Sequence, residues 1–395
     1  MRAPAVCVRE QQKKKESAPA SPDAATRPDL TLFFFASSTL SSSPFFLRYS
    51  DTIPFRQRSE TPDIAIELSL QPWRAFHPDG VIFFSDILTP LPALGIEFDV
   101  VKGRGPVIGT PVRTMEAVLA LKPLDDPEAS LPFIRTILSS LRAEIAGGDP
   151  GAGVHETPAL LGFVGTPWTL AAYAVEGKAD KHCMATKTLM RRDPATLHAF
   201  LAHLADAVAA YCCYQIDAGA QVVQLFDSWA HHLAPDQYAE FSSPYSERVI
   251  AAVKAARPGV PLILHANGGT GKLDLLAPTG AHAVGLDWAT SMAAARTALG
   301  PGRVVAGNVD PMELFGGEAA IEAAVERAVR EAAGGGASDD GIVRHILNVG
   351  HGVAQGTPEG AVGHFCRLAR EKSAGWLPAS VRARGVVAGA GAGRS

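Results

Sequence analysis

The sequence predicts a (β/α)8 barrel, an α/β fold in which strands and helices alternate within a single domain. Seven apolar runs recur along the chain, and strands buried on both faces of a parallel sheet read as continuous apolar runs. Each run also ends in a small or reactive residue, and the carboxyl ends of barrel strands are where active sites form. The runs are Val81–Asp86, Leu160–Gly165, Val222–Ser228, Leu262–His265, Ala283–Asp287, Val304–Asn308 and Ile346–His351.

Helix signals fill the segments between these runs. Asp193-Pro194 is typical of a helix start, and apolar residues at helical spacing follow it. Thr166-Pro167 starts another helix, which carries Tyr173. Strands that alternate with helices imply parallel pairing through right-handed crossovers. The segment Phe98–Ile108 has glycine and proline at its centre and is predicted to form a surface hairpin or loop.

The barrel domain is assigned to residues 51–380. Residues 1–50 are expected to be a poorly ordered leader, basic at Lys13–Lys15 and serine-rich at Ser37–Ser43, as organelle transit segments are. Acidic residues in the same stretch, such as Glu10 and Asp29, argue against a transit role. Residues 381–395 are rich in glycine and alanine and are expected to be a flexible tail.

Composition limits the classes of function. The chain is 47% hydrophobic and 19% charged with a net charge of −4, which argues against nucleic acid as the main partner. No apolar run approaches the roughly 20 residues that span a bilayer, so no membrane partner is expected. The five cysteines have no zinc-like spacing, and Cys212 and Cys213 are predicted to be buried hydrophobes in a reducing compartment. No glycine-rich phosphate loop appears, so a nucleotide cofactor is not expected, and the cysteine spacing gives no sign of a metal site.

Asp86 is the sharpest candidate for chemistry. A lone carboxylate at the end of an apolar run would lie in a low-dielectric mouth, where it must be paired or must meet donors from a ligand. Such a group is valuable where a reaction develops positive charge. The structural alternative is a helix cap or an ion pair.

Three further candidates follow other runs. Tyr173 is either a substrate contact or a core tyrosine. Ser228 is either a polar contact or the cap of a helix containing Trp229, and no G-x-S-x-G elbow marks it as a nucleophile. His351 lies between glycines that would let the backbone approach a ligand, and the alternative is a core histidine. His265 is a weaker signal of the same kind.

Five separated motifs occur together in this chain. They are Phe55-Arg-Gln-Arg-Ser-Glu60, Leu70-Gln-Pro-Trp-Arg74, Phe84-Ser-Asp-Ile-Leu88, Gly162-Phe-Val-Gly-Thr-Pro-Trp168 and Asn348-Val-Gly-His-Gly352. In this order they resemble the uroporphyrinogen decarboxylase family, in its plant, algal or cyanobacterial branch, over roughly residues 55–380. The set of five is far more specific than any single motif.

The resemblance implies an enzyme of haem and chlorophyll biosynthesis that works without a cofactor. It would remove the carboxyl groups of the four acetate side chains of uroporphyrinogen III, giving coproporphyrinogen III and carbon dioxide. The family acts as a homodimer, and its plant and algal members suggest a chloroplast location, with the cytoplasm as the alternative.

The resemblance also suggests roles for individual residues. Asp86 matches the aspartate that binds the pyrrole N–H groups at the centre of the macrocycle. Tyr173, Ser228 and His351 match residues that contact substrate carboxylates and polar edges. The aromatic ring of Phe226 would line the pocket. A further match, Arg58, would be a basic residue near the cleft.

The N-terminal region departs from the family. Its members carry Arg-Gln-Ala-Gly-Arg-Tyr at the end of the first barrel strand, and this chain has no equivalent. Either an exon is misassigned or the apolar stretch Thr31–Ala36 replaces the first strand. Without those arginines, an alternative is a tetrapyrrole-binding pseudoenzyme of the same fold. Methyltransferases of this fold fit less well, because His265-Ala-Asn267 lacks the cysteine of their zinc site.

Overall fold

A computed structural model describes residues 32–33, 52–101, 104–149, 157–300, 302–334 and 344–376. The predicted tail and all but two residues of the predicted leader lie outside these ranges. For residues 32–33 and 373–376 the description is of the backbone.

The strands of the described residues confirm the predicted fold class. They are β1 (Leu32–Phe33), β2 (Gly80–Ile82), β3 (Phe98–Val101), β4 (Gly105–Ile108), β5 (Ala159–Gly165), β6 (Val222–Asp227), β7 (Leu262–Ala266), β8 (Ala283–Leu286), β9 (Val304–Ala306) and β10 (His345–Leu347). Eight of them form one parallel sheet in the order β1-β10-β9-β8-β7-β6-β5-β2, which is the order of a (β/α)8 barrel. Within the described ranges no pairing joins β1 to β2, so the barrel is open between them.

The short strand β1 occupies the place of a first barrel strand. Leu32 and Phe33 pair in parallel with Ile346 and Leu347 of β10. Within the stretch Thr31–Ala36, Leu32 and Phe33 therefore lie where a first strand is expected. The rest of that stretch lies outside the described residues.

Helices follow the strands of the sheet and cover it. They are α1 (Phe55–Glu60), α2 (Pro62–Phe76), α3 (Met115–Leu119), α4 (Pro127–Ser130), α5 (Pro132–Glu144), α6 (Pro167–Glu176), α7 (Met184–Arg192), α8 (Pro194–Asp217), α9 (Pro235–Phe241), α10 (Ser243–Ala256), α11 (Leu273–Leu276), α12 (Met292–Leu299), α13 (Glu318–Ala333) and α14 (Glu359–Trp376). Short 3-10 turns lie at Pro92–Leu94, Ala230–His232, Thr270–Lys272, Ala277–Thr279 and Pro311–Phe315.

Two helices begin where the sequence predicts. The Asp193 carboxylate accepts a hydrogen bond from the Thr196 backbone N–H at 3.1 Å, which caps α8. The Thr166 hydroxyl oxygen accepts from the Thr169 backbone N–H at 3.3 Å and caps α6. The hairpin predicted at Phe98–Ile108 is also confirmed, because β3 and β4 pair antiparallel over that range.

Helix α8 differs from expectation in one respect. By length and composition it could cross a membrane, although the apolar runs of the sequence predict no such segment. However, 61% of its most apolar stretch is buried inside the protein, which is typical of a core helix. Within it Cys212 is buried as predicted, whereas Cys213 is only partly covered.

Candidate functional site

A cavity of about 250 Å³ lies at the carboxyl ends of the parallel strands. This is the end of the sheet where the sequence places the reactive residues. The lining residues come from β2, from β5 to β10 and from the loops that follow these strands. They are Ile82, Ser85, Ile87, Leu161, Phe163, Gln224, Phe226, Ser228, His265, Asn267, Gly285, Leu286, Ala306, Gly307, Ile346, Asn348, Val349, His351 and Gly352.

Strand periodicity selects which residues face the cavity. Along β6 and just beyond it, Gln224, Phe226 and Ser228 line the cavity. Successive side chains of a strand point to opposite faces, so the intervening Asp227 faces away from the cavity. This alternation brings two of the predicted site residues, Phe226 and Ser228, to the same wall.

Asp227 has a structural role behind that wall. Its carboxylate accepts hydrogen bonds from the hydroxyls of Thr166 at 2.9 Å, Thr169 at 3.0 Å and Ser242 at 2.5 Å. Burial raises its pKa, and the hydroxyl donors oppose that shift. The carboxylate therefore ties the start of α6 and the end of α9 to β6.

Asp86 lies on a loop rather than at the end of a strand. The sequence predicts a strand through Ser85, but β2 ends at Ile82. The reason is that the backbone N–H of Phe84 donates to the Ser69 hydroxyl at 2.7 Å instead of to a neighbouring strand. The Phe84 ring then packs against Phe55 with ring centroids 5.2 Å apart.

Side-chain hydrogen bonds fix the loop around Asp86. Its carboxylate accepts from the backbone N–H of Leu88 at 2.8 Å, and the Thr89 hydroxyl donates to the Asp86 carbonyl at 2.7 Å. Within the described residues the carboxylate forms no ion pair, so the Leu88 contact is the only part of the structural alternative that is observed. Its neighbours Ser85 and Ile87 line the cavity.

The environment of Asp86 makes its carboxyl group a weaker acid than a carboxyl group in water. The side chain is partly buried, and removal from water raises its pKa to about 6, against the smaller opposing effect of the Leu88 hydrogen bond. An acid with that pKa is mostly ionised at neutral pH, yet its charge is poorly compensated. Cationic or N–H donor groups of a ligand would therefore bind it strongly.

Tyr173 lies close enough to Asp86 to respond to its charge. Burial raises the pKa of the Tyr173 hydroxyl, and the negative charge on Asp86 raises it further. The ring is partly buried and packs against Trp229, with ring centroids 4.6 Å apart. Like Asp86, Tyr173 does not itself line the cavity.

The remaining predicted contacts are found at the cavity. Ser228 lines the cavity. It does not cap the following turn, because Ala230–His232 has no side-chain cap. His351 is exposed at the mouth and is not a core histidine. Phe226 forms edge-to-face contacts with Phe163 and His265, each with ring centroids 5.8 Å apart.

The glycine before His351 serves packing within the protein. A Cβ atom on Gly350 would lie 2.6 Å from the Trp288 Cα and 2.7 Å from the Asp287 carbonyl carbon. The close approach at Gly350 is therefore to the backbone that follows β8, whereas the second flanking glycine, Gly352, lines the cavity.

Arg58 lies apart from the cavity. It is 8% exposed, and its guanidinium stacks over the rings of Phe55 and Phe84 at 5.2 and 5.7 Å. The part of the cavity wall that the structure describes contains no arginine or lysine. Arg58 thus reaches the site indirectly, through the Phe84 segment that leads to Asp86.

The sequence reasoning missed Phe163 and Gln224 and gave little weight to His265. Alternation along the strands was the available signal, since these residues share a face with Leu161, Phe226 and Asn267. Across the described ranges, no group of three or more His, Cys, Asp or Glu side chains could hold a metal ion.

Asp287 and Asn308, which end two of the apolar runs, stabilise loops. The Asp287 carboxylate accepts from the backbone N–H groups of Gly268 and Gly269 and from the backbone and hydroxyl of Thr290. The Asn308 amide donates to the carbonyls of Asp287 at 2.8 Å and Thr290 at 2.5 Å.

The sequence matches a known protein family over most of its length. The family model described as uroporphyrinogen decarboxylase (URO-D) matches residues 42–372. The uroporphyrinogen decarboxylase of Crocosphaera subtropica is 53% identical over 317 residues, covering 80% of this chain and 84% of that protein. The uroporphyrinogen decarboxylase of Nostoc punctiforme is 52% identical over 317 residues, covering 80% and 85%.

Solved structures share the fold at low sequence identity. A methyltransferase from Methanosarcina mazei superposes with a TM-score of 0.70 at 17% identity and covers 88% of this chain and 96% of its own. At that identity the likeness is one of fold.

Proposed function

The chain belongs to the uroporphyrinogen decarboxylase family, and we propose that it converts uroporphyrinogen III into coproporphyrinogen III by releasing four molecules of carbon dioxide. The observation that carries the proposal is Asp86, a partly buried carboxylate without an ion pair among the described residues, next to the cavity at the carboxyl end of the sheet. The inward N–H groups of a porphyrinogen are the kind of donors such a carboxylate binds.

The reaction needs an acceptor for an electron pair. Protonation of a pyrrole ring carbon makes the ring cationic. The bond between the acetate methylene and its carboxyl carbon then breaks, carbon dioxide leaves, and the electron pair moves into the ring. Protonation of the methylene carbon and loss of the added ring proton leave a methyl group. Asp86 would stabilise the ring cation, because a fixed charge acts strongly in a site that excludes water.

Other residues support this arrangement. Tyr173 lies within electrostatic reach of Asp86 and would add a polar hydroxyl group near it. Ser228 and His351 present polar groups to the cavity, and Phe226 supplies an apolar wall. We propose that no metal or organic cofactor takes part, since the substrate ring itself serves as the electron sink.

A second candidate function is a tetrapyrrole-binding protein without turnover. It is favoured by the missing Arg-Gln-Ala-Gly-Arg motif and by a described cavity wall that contains no arginine or lysine. Each charge-assisted hydrogen bond to a carboxylate contributes about 1.5–3 kcal/mol, so the loss of two would reduce turnover severely.

An assay of the full chain separates these candidates. Purified protein is incubated with uroporphyrinogen III without oxygen, and the products are separated by chromatography. We expect coproporphyrinogen III with intermediates that have lost one to three carboxyl groups. Binding of the tetrapyrrole without any of these products would reject the enzyme in favour of the binding protein.

We also propose that the protein forms a homodimer through the carboxyl end of the sheet. Trp288, Met312 and Phe315 are 52%, 53% and 46% exposed and follow the neighbouring strands β8 and β9 at that end. Large apolar side chains exposed together mark interaction surfaces. A second copy placed there would cover the cavity mouth.

For location we propose the chloroplast, with the cytoplasm as the alternative. The support is the basic and serine-rich composition of residues 1–50. A fluorescent protein fused behind these residues would enter plastids under the first proposal and remain in the cytoplasm under the second.

A further inference from the structure

His265 is a cavity residue that the proposed reaction does not yet use. It follows Leu264 in β7, lines the cavity and is partly buried. Neither of its ring nitrogens makes a hydrogen bond to another described residue. Polar groups removed from water are normally hydrogen-bonded, so a free imidazole facing a cavity is suited to bind a ligand.

The ring of His265 is held in place from two sides. Phe226 packs against it with the ring planes inclined at 64°. On the other side Gly285 leaves room for it, since a Cβ there would lie 2.9 Å from the His265 Cβ and 3.0 Å from Nδ1. A group fixed in this way loses little side-chain entropy when it binds a ligand.

We propose that the imidazole of His265 binds a carboxylate side chain of the tetrapyrrole, and that it takes up a proton as the carboxylate enters. The inference rests on the proposed substrate class but not on turnover. A carboxylate that enters a cavity needs a charged or hydrogen-bonding partner. The described wall offers no lysine or arginine, so a histidine that gains a proton on binding would supply the missing positive charge.

The electrostatic surroundings agree with proton uptake on binding. Burial lowers the pKa of His265 to about 4, so the imidazole is neutral at neutral pH before a ligand binds. The titratable groups that act on the ring are Asp287, which raises this pKa, and His351, which lowers it; the β6 side contributes the uncharged Phe226. A carboxylate partner raises the pKa of a histidine, which favours the protonated ring once the carboxylate has entered.

Asp287 does not satisfy the imidazole in place of a ligand. Its two oxygens already accept from Gly268, Gly269 and Thr290. The carboxylate therefore influences the charge of His265 from a distance and leaves its ring nitrogens available.

The test is binding of uroporphyrin III, which keeps the carboxylates of the substrate on an aromatic ring that the proposed route cannot decarboxylate. Fluorescence titration gives the affinity, and calorimetry at pH 6 in two buffers of different ionisation enthalpy gives the number of protons taken up. We expect His265→Phe to weaken binding by about 10- to 100-fold and to lower the proton uptake. His265→Gln, which keeps an N–H donor, should recover part of the affinity but none of the uptake.

The matched control is His203→Phe, which removes a histidine that bonds the Lys122 carbonyl on the surface of α8. It should bind and take up protons as the wild type does. Equal affinity and equal proton uptake for wild type and His265→Phe would overturn the inference. If His265→Phe does not fold, wild-type uptake in the His265→Gln protein overturns it instead.

The outcomes separate this inference from the proposed function. Wild-type protein that binds uroporphyrin III with His265-dependent proton uptake, but makes no coproporphyrinogen III, rejects the decarboxylase and supports the carboxylate subsite. Normal turnover of the wild type, together with unchanged uroporphyrin III binding in His265→Phe, supports the decarboxylase and rejects the carboxylate subsite. Wild-type protein that does not bind the probe overturns the subsite.

Discussion

The backbone of Gly350 lies directly against that of Trp288, and a Cβ atom on the glycine would come within 2.6 Å of the Trp288 Cα. The contact joins the loop after β10 to the loop after β8. Because backbone atoms cannot move aside as a flexible side chain can, only glycine fits here. The position of the next residue, His351, at the cavity mouth depends on this contact.

Gly350→Ala should therefore lower the free energy of unfolding by about 2–4 kcal/mol, as overpacking against a rigid neighbour does. Urea unfolding measures the change. The control is Gly360→Ala in α14, where nothing lies within 4 Å of the added carbon and a helix favours alanine. Equal stability of the two variants would contradict the packing role of Gly350.

Asp86→Asn should reduce kcat/KM for uroporphyrinogen III by about 100- to 1,000-fold, because it removes the charge that stabilises the ring cation. Product chromatography measures the rate, and the fold should survive. Asp227→Asn is the matched control. Its carboxylate accepts from three hydroxyls, so the same change should mainly lower the melting temperature. Full activity of the Asp86→Asn protein would refute the assigned role.

The raised pKa of Asp86 predicts how stability depends on pH. Its folded pKa of about 6 exceeds the unfolded value of about 4, so ionisation favours the unfolded chain. The cost is absent below pH 4, grows between pH 4 and 6 and is complete above pH 6. Asp86→Asn should thus be more stable than wild type by about 1–3 kcal/mol at pH 8 and equally stable at pH 3.5. A stability difference that does not change with pH would contradict this environment.

Ser228→Ala should raise KM by about 3- to 15-fold with a smaller effect on kcat, because it removes one hydrogen bond to bound substrate. Initial rates at several substrate concentrations measure both constants. The control is Ser139→Ala on the exposed face of α5, which should leave KM unchanged. If the two variants behave alike, Ser228 does not contact the substrate.

The proposed dimer predicts different effects for two exposed apolar positions. Phe315→Glu would place a charge on the exposed apolar end of the sheet that we propose as the interface, and it should shift the protein to monomers in sedimentation experiments. Leu119→Glu, at a residue that is 77% exposed on α3, should leave the assembly unchanged. A dimer that persists in Phe315→Glu would place the interface elsewhere.

The apolar runs were enough to predict the barrel, because parallel strands buried on both faces carry that pattern in the sequence itself. Helix starts at Asp193 and Thr166 were equally local and equally predictable. The end of β2 was not predictable, because it depends on Ser69 in helix α2. The Ser69 hydroxyl accepts the hydrogen bond from the backbone N–H of Phe84. Such long-range hydrogen bonds leave no periodic signal.

The site was predicted in part for a similar reason. Ser228 and His351 could be found because they end apolar runs, whereas Phe226 was implied by the family resemblance; the structure places all three at the cavity. Gln224 and Phe163 lie inside runs, where a site residue and a core residue look alike. The packing function of Gly350 could not be predicted from the sequence, because the same sequence pattern fits a glycine that approaches a ligand and one that approaches another backbone segment.

Asp227 and Ser228 are neighbours in the chain, yet one anchors the scaffold and the other faces the ligand. A deletion or insertion of one residue within β6 would exchange their orientations. It would expose an acid whose hydroxyl donors stay behind and hide the serine that belongs at the wall. The stability of the scaffold and the chemistry of the cavity wall therefore both depend on the register of this strand, and a shift by one residue would disrupt both.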